Sequence, residues 1–241
     1  MIRSIRTLPL LVLIVVAAAA CAVRLGGPSP ENYDTVALAA PSGASAADVG
    51  AAIRAAGAEI AFIAAPQDAA WLTEVAAAAG LALSGPSTSG EQALAFMTNV
   101  ELLGDTSLVL AVPAGGTIHM HDALYKVDNN RNLDLMIVHF DAPDLRAAVR
   151  TLLGYIATDV GADVALVLAV SGDTPQAADS AAVLMRATLG SGLECVTENQ
   201  SAPLTGTLPV RLLYGPSARM GCLGARPLEG MTGVNARLQV R

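Results

Sequence analysis

Residues 35–64 read TVALAAPSGASAADVGAAIRAAGAEIAFIA, and this stretch decides the fold class. It begins and ends with a short apolar run, the second of which covers Ile60 to Ala64. Between the two runs, Ser45 followed by Asp48 is typical of a helix N-terminus, and apolar residues recur with helical spacing up to Gly57. The order strand, helix, strand predicts an α/β fold.

The same alternation continues along the chain. A weaker helix is predicted from Glu91 to Leu103, and a central β-hairpin is predicted with arms at Thr117–Val127 and Leu133–Phe140. We therefore expect a mixed sheet flanked by helices over residues 34–227, followed by a loose tail at 228–241.

A weak internal repeat accompanies this pattern. The segment Ala51-Ala52-Ile53-Arg54 resembles Ala147-Ala148-Val149-Arg150, and each is followed by a strand and then by a helix that opens near Pro66 or Pro175. A duplication would give two similar lobes meeting near residue 115. Chance similarity in an alanine-rich chain is the alternative.

The N-terminus has the three parts of a secretion signal over residues 1–20. Arg3 and Arg6 precede an apolar run from Leu8 to Ala20, which ends in three alanines before Cys21. The run has about 13 residues, whereas a transmembrane helix needs roughly 20. A permanent transmembrane anchor is therefore not expected.

This N-terminus resembles the signal peptides of bacterial lipoproteins, in which a cysteine directly after small residues receives a lipid. The resemblance implies lipidation of Cys21, attachment to a membrane, and a location in the cell envelope with the domain in the periplasm or outside. In the enteric members of this family, an aspartate directly after the lipidated cysteine retains the protein at the inner membrane. Ala22 stands at that position here, which favours the outer membrane. Residues 21–33 are rich in glycine and proline and suit a tether. Ordinary cleavage after Ala20, leaving an unmodified thiol, is the alternative.

The cysteine count supports lipidation. If Cys21 takes lipid, Cys195 and Cys222 remain as an even pair in an oxidising compartment. We expect a structural disulfide between them, because their spacing is not that of a redox C-x-x-C motif.

Composition suggests few partners. The chain has 14 basic and 21 acidic residues, a net charge of -7, and only 3% aromatic residues. Without Arg3 and Arg6, 12 basic residues remain and the net charge becomes -9. Nucleic acid binding needs a basic surface, so we expect no nucleic acid partner; a protein or small-molecule partner stays unidentified.

The three histidines lie close together in sequence. His119, His121 and Asp122 on one hairpin arm are weak candidates for a zinc site, and His139 lies on the other arm. If Ile118 and Met120 face the same core as Leu133, Leu135 and Ile137, His119 and His121 point away from it while His139 points inward. We therefore favour no metal and no cofactor. The polar segment from Asp122 to Asp134 lacks calcium-loop spacing and is interpreted as a solvated turn.

Motifs of hydrolases and nucleotide-binding proteins are absent from the sequence. No serine has G-x-S-x-G around it, and no phosphate-binding glycine loop follows a strand. We therefore expect a lipid-anchored, non-enzymatic binding or interaction module. The alternatives are a solute-binding protein and a metal-dependent enzyme built on His119, His121 and Asp122, or on acidic residues such as Asp141 and Asp144.

Overall fold

Two six-stranded mixed sheets form the framework of the protein. A computed structural model describes residues 29–89, 92–160, 164–172, 175–189, 194–195, 210–215 and 218–241. The strands are β1 (Glu31–Ala39), β2 (Ile60–Ala65), β3 (Leu83–Ser89), β4 (Gln92–Thr98), β5 (Glu101–Ala111), β6 (Thr117–Lys126), β7 (Asn132–Asp141), β8 (Ala165–Gly172), β9 (Glu194–Cys195), β10 (Val210–Gly215), β11 (Met220–Pro227) and β12 (Gly233–Val240). The helices are α1 (Ala46–Ala55), α2 (Ala69–Ala79), α3 (Leu145–Tyr155), which continues as a π-helical turn (Ile156–Val160), and α4 (Pro175–Leu189).

The two sheets have the same topology. The first has the order β11-β12-β1-β2-β4-β3 and the second the order β5-β6-β7-β8-β10-β9. In each sheet the two central strands, β1–β2 or β7–β8, run parallel, and an antiparallel hairpin lies beside them. Both hairpins have a register shift beside a Leu-Gly pair, at Leu103-Gly104 in β5 and at Leu223-Gly224 in β11. The described residues therefore form two sheets of the same topology, and the two copies of the sequence repeat lie in α1 and β2 and in α3 and β8.

Three hydrophobic layers join these elements. The central layer lies between the sheets and contains Phe62 and Phe96 of the first sheet and Leu135 of the second. Helices α1 and α2 cover the outer face of the first sheet, and α3 and α4 cover the outer face of the second. The order of layers is helix, sheet, sheet, helix, which confirms the predicted α/β class with mixed sheets flanked by helices.

The parallel strands of the two sheets start near each other. Arg131, which precedes β7, donates from Nη1 to the carbonyl of Val240 at 3.1 Å, and Val240 pairs with Glu31 at the start of β1. In α/β proteins, ligands commonly bind at the carboxyl ends of parallel strands.

Several predicted elements differ from those observed. The helix expected from Glu91 to Leu103 is wrong, because β4 and the start of β5 occupy those positions. The loose tail is also wrong, since Gly233–Val240 forms β12 between β1 and β11. The chain passes from the first sheet to the second between β4 and β5, ahead of residue 115, and β1 begins inside the expected tether.

Candidate functional site

A row of three polar side chains crosses the second sheet at the carboxyl ends of its parallel strands. His119 of β6 pairs with His139 of β7, which pairs with Ser171 of β8. Tyr125, Ile137 and Ala169, on the same three strands, belong to the central core. Since strand side chains alternate with period two, His119, His139 and Ser171 also face the first sheet. We call these three residues the histidine–serine row.

Hydrogen bonds determine the tautomer of His139. Ser171 Oγ donates to the carbonyl oxygen of Val138 at 3.0 Å and lies 3.1 Å from His139 Nδ1. A serine hydroxyl has a single proton, so the Nδ1–H of His139 must be the donor in the second bond. In the neutral ring the lone pair therefore lies on Nε2. His139 and Ser171 are 3% and 2% exposed, so this arrangement is shielded from water.

His119 is the half-buried member of the row. Its Nε2 lies 2.9 Å from Thr117 Oγ1, and its Nδ1 is buried with no hydrogen-bond partner among the described residues. In the tautomer in which Thr117 donates to Nε2, the proton on Nδ1 is left for an outside acceptor. Two alanines of the first sheet, Ala39 at the end of β1 and Ala64 near the end of β2, also face the central layer.

The structure separates the residues of the predicted metal cluster. His121 faces the central layer, but Asp122 is the next residue on the strand and faces α3. Within the described ranges, no group of three or more His, Cys, Asp or Glu side chains could hold a metal ion. The weak candidates His119, His121 and Asp122 therefore do not come together in the described structure.

The predicted register of the histidines is also wrong. Met120 pairs with Val138, and both pack in the outer layer with the helices, whereas Leu135 and Ile137 face the central layer. All three histidines therefore point to the same side of the sheet.

His121 lies further from the end of the sandwich than the row. Its ring stacks on Phe96 at a centroid distance of 4.6 Å, its Nδ1 lies 2.9 Å from Ser107 Oγ, and its Nε2 lies 3.8 Å from Asp105. Burial lowers the pKa of His121, and the nearby charge of Asp105 opposes that shift. His121 therefore packs as a core residue.

Two carboxyl groups are buried on the outer face of the second sheet. Asp122 and Asp134, which we call the acidic pair, are 9% and 6% exposed. Tyr155 of α3 donates its hydroxyl to Asp122 Oδ2 at 2.7 Å. Burial, with the hydrogen bond and the charge of Asp122, raises the pKa of Asp134 to about 9. The two ends of the segment interpreted as a solvated turn are thus core residues; only its tip is solvated.

The acidic residues Asp141 and Asp144 do not form a site in the described structure. Asp141 is exposed at the end of β7. Asp144 caps α3 by accepting from the backbone N–H of Ala147 at 3.0 Å.

Other predicted sites stay predictions. Residues 1–20 and Cys21 lie outside the described residues, as does the side chain of Cys195, so neither lipidation nor the disulfide with Cys222 is tested. None of the helices among the described residues has the length and apolar character needed to cross a bilayer.

Solved structures with the same fold exist, although no protein-family model and no curated protein matches the chain. An endonuclease/exonuclease/phosphatase from Bacteroides vulgatus superposes with a TM-score of 0.65 at 10% identity, covering 88% of this chain and 100% of that one. An endonuclease/exonuclease/phosphatase family protein from Bacteroides thetaiotaomicron has a TM-score of 0.66 at 12% identity, covering 88% and 99%. D. rerio TDP2 complexed with single strand DNA product has a TM-score of 0.58 at 12% identity, covering 86% and 99%.

These neighbours correct two expectations. The fold is that of proteins named for nuclease and phosphatase activities, which contradicts a non-enzymatic binding module. One of them is complexed with DNA, which contradicts the exclusion of nucleic acid. That exclusion relied on net charge, which describes the whole surface and not one site.

A sequence signal for the row did exist. His139 and Ser171 each lie one or two residues before the end of a parallel strand, where functional side chains of α/β proteins gather. The close spacing of His119, His121 and Asp122 is a more conspicuous pattern in the sequence than this position.

Proposed function

We propose that the protein hydrolyses phosphoesters at the histidine–serine row. The observation that carries the proposal is the fold, because its structural neighbours are named as nucleases and phosphatases. The contact of His139 Nδ1 with Ser171 Oγ, near the carboxyl ends of two parallel strands, marks the row as the candidate site within that fold.

Each member of the row has a distinct role in this proposal. His139 is the proposed general base, which takes a proton from the attacking water as the new P–O bond forms and the ester P–O bond breaks; neutral imidazole is the commonest general base near neutral pH. Because only 3% of His139 is exposed, this role requires the row to open to water and substrate. Ser171 is a positioning residue that fixes the ring. His119, the half-buried member of the row, is proposed to donate a hydrogen bond to a phosphoryl oxygen, which stabilises the charge that develops there.

The substrate class follows from the chemistry of the row. A phosphoester presents anionic oxygens to His119 and an electrophilic phosphorus to the water beside His139. Single-stranded nucleic acid is one candidate substrate, because D. rerio TDP2 is complexed with such a product. Small phosphomonoesters and phosphodiesters are the other.

The experiment is a hydrolysis assay with bis(4-nitrophenyl) phosphate, 4-nitrophenyl phosphate and a labelled single-stranded oligonucleotide. We expect turnover of at least one substrate, and a loss of roughly 100-fold or more in His139→Gln, the usual contribution of a general base. The proposal fails if the folded wild-type protein turns over none of them, or if His139→Gln retains full activity.

We also propose that the enzyme is exported and anchored to the outer membrane through lipid on Cys21. The support is the basic, apolar and small-residue pattern of residues 1–20, followed directly by a cysteine. Residues Ala22 to Pro30 would then separate the lipid from the start of β1.

A further inference from the structure

A cavity with two arginines in its wall lies on the outer face of the first sheet, whereas the histidine–serine row faces the central layer. Its volume is about 480 Å³, and Arg226 of β11, Arg237 of β12 and Asp34 of β1 line it. Arg226 pairs with Asn235, which pairs with Val36 of the helix-covered layer. Since strand side chains alternate with period two, both arginines share this outer face. We call Arg226 and Arg237 the arginine pair.

No carboxylate neutralises the arginine pair. Neither guanidinium group forms an ion pair or a hydrogen bond within the described part of the chain, and both residues are exposed. Among the described residues of the lining, Asp34 supplies one carboxylate against two guanidinium groups. In a chain with a net charge of -7, this cavity is therefore a local region of positive charge.

The equivalent cavity of the second sheet has the opposite charge. Counted from the Leu-Gly register shifts, Arg226 stands where Thr106 stands in β5. By the same count, Arg237 stands where Leu124 stands in β6. The cavity there has a volume of about 410 Å³ and is lined by four aspartates and, among the described residues, by no arginine or lysine. The shared topology therefore does not require the arginine pair.

The positions of the two arginines suit a single anion between them. They are diagonal neighbours on adjacent antiparallel strands, roughly 7–8 Å apart, a span that long side chains bridge. Asn235, directly opposite Arg226, is 7% exposed and donates from Nδ2 to the carbonyl of Ala56 at 3.4 Å. A side-chain amide has two N–H donors, so the second one remains for a ligand in the cavity.

We propose that the arginine pair binds one phosphate group. Guanidinium groups match phosphate oxygens with paired N–H donors, and Asn235 adds a further donor. An adjoining cavity of about 240 Å³, which shares Arg226 and Asn235 and is bordered by alanines of α1, leaves space for the rest of an organic phosphate. Asp34 opposes the anion and limits the affinity of the site. The site does not depend on the proposed catalysis.

The test is a phosphorus NMR titration of the full chain with methylphosphonate at low ionic strength, because this ligand has no ester bond to hydrolyse. We expect saturable binding that weakens roughly tenfold or more in Arg226→Gln and in Arg237→Gln, since charge-assisted hydrogen bonds are lost. Arg150→Gln removes an exposed arginine of α3, so it is the matched control and should bind as the wild type does. Asp34→Asn should bind more tightly by roughly twofold or more, because the opposing charge is removed.

Methylphosphonate that binds at the histidine–serine row does so equally in all these variants. A difference between them therefore reports on the arginine pair alone, and a failure of phosphoester hydrolysis would not affect it.

Vesicles of phosphatidylglycerol, with phosphatidylcholine vesicles as control, distinguish a lipid headgroup from a soluble phosphate. Cosedimentation that is stronger in the wild type than in Arg226→Gln assigns the phosphate to a lipid. Binding of methylphosphonate without this difference assigns it to a soluble ligand.

The site is overturned if the folded wild-type chain binds neither methylphosphonate nor phosphatidylglycerol. Undiminished binding in the folded Arg226→Gln or Arg237→Gln variant would also overturn it. An equal loss in Arg150→Gln would show that only the overall charge matters, and binding in Asp34→Asn no tighter than in the wild type would place the anion outside the cavity. If one arginine variant does not fold, the other variant and the control decide.

Discussion

Ser171 Oγ lies 3.1 Å from His139 Nδ1 and donates its own proton to the carbonyl of Val138. This relationship links two parallel strands, β7 and β8, and gives the buried imidazole a defined tautomer. A ring held in one orientation suits the role of general base that we propose for His139.

Replacing Ser171 with alanine should therefore affect turnover more than substrate binding. We expect kcat to fall by roughly tenfold or more with little change in KM, because Ser171 positions the base without contacting the substrate. The free energy of unfolding should fall by about 1–3 kcal/mol, since the buried Nδ1–H loses its acceptor. Steady-state kinetics and urea unfolding provide both values. A rise in KM with unchanged kcat would contradict the positioning role.

Acidification should destabilise the protein through His121. Burial lowers the pKa of this histidine below its ordinary value of 6.5, so the unfolded chain binds a proton more readily than the folded one. Stability is therefore fully present well above pH 6.5 and decreases as the pH falls through that value. Urea unfolding from about pH 5 to 8 should show the decrease, and His121→Gln should show less of it. Equal pH dependence in both proteins would contradict this assignment.

Two helical glycines should respond oppositely to substitution with alanine. A Cβ on Gly50 of α1 would clash with the Cβ of Ala78 in α2, whereas a Cβ on Gly154 of α3 meets nothing within 4 Å. We expect Gly50→Ala to lower the free energy of unfolding by about 1–3 kcal/mol. Gly154→Ala should raise it by roughly 0.5–1 kcal/mol, because alanine favours the helix. Thermal and urea unfolding of both variants check the contrast.

The mass of the native protein should report on its processing. Protein extracted gently from membranes without reductant should begin at Cys21, carry acyl groups, and be lighter by the two hydrogen atoms lost when Cys195 and Cys222 oxidise. Intact-mass spectrometry measures all three features. An unlipidated mass in the soluble fraction, or two maleimide-reactive thiols in the unfolded, non-reduced protein, would contradict the anchor or the disulfide.

The sequence was sufficient to predict the first strand, helix and strand, because a capped helix lies between two apolar runs. It did not predict the faces of β6 and β7. Both faces of β7 are buried, so apolar residues occur at nearly every position. The sequence pattern therefore does not show which residues face the first sheet and which face the helices. Asp122 and Asp134 were expected to be solvated, because the hairpin sequence does not show that α3 covers them.

Two strands were missed for different reasons. The residues of β4, QALAFMT, are all of types that helices tolerate, and only pairing with β2 and β3 makes them a strand. By contrast, β12 has a clear period-two pattern in Val234, Ala236, Leu238 and Val240, all of them buried. That signal was available from the sequence.

The most direct test of the central claim compares two histidine variants on the substrate that the wild type turns over fastest. His139→Gln removes the proposed base, whereas His121→Gln changes the same residue type on the same face of the sheet, beside Phe96 and away from the row. We predict that kcat/KM falls by roughly 100-fold or more in His139→Gln and stays close to the wild-type value in His121→Gln, with both variants folded. Equal activity in the two variants would contradict hydrolysis at the histidine–serine row.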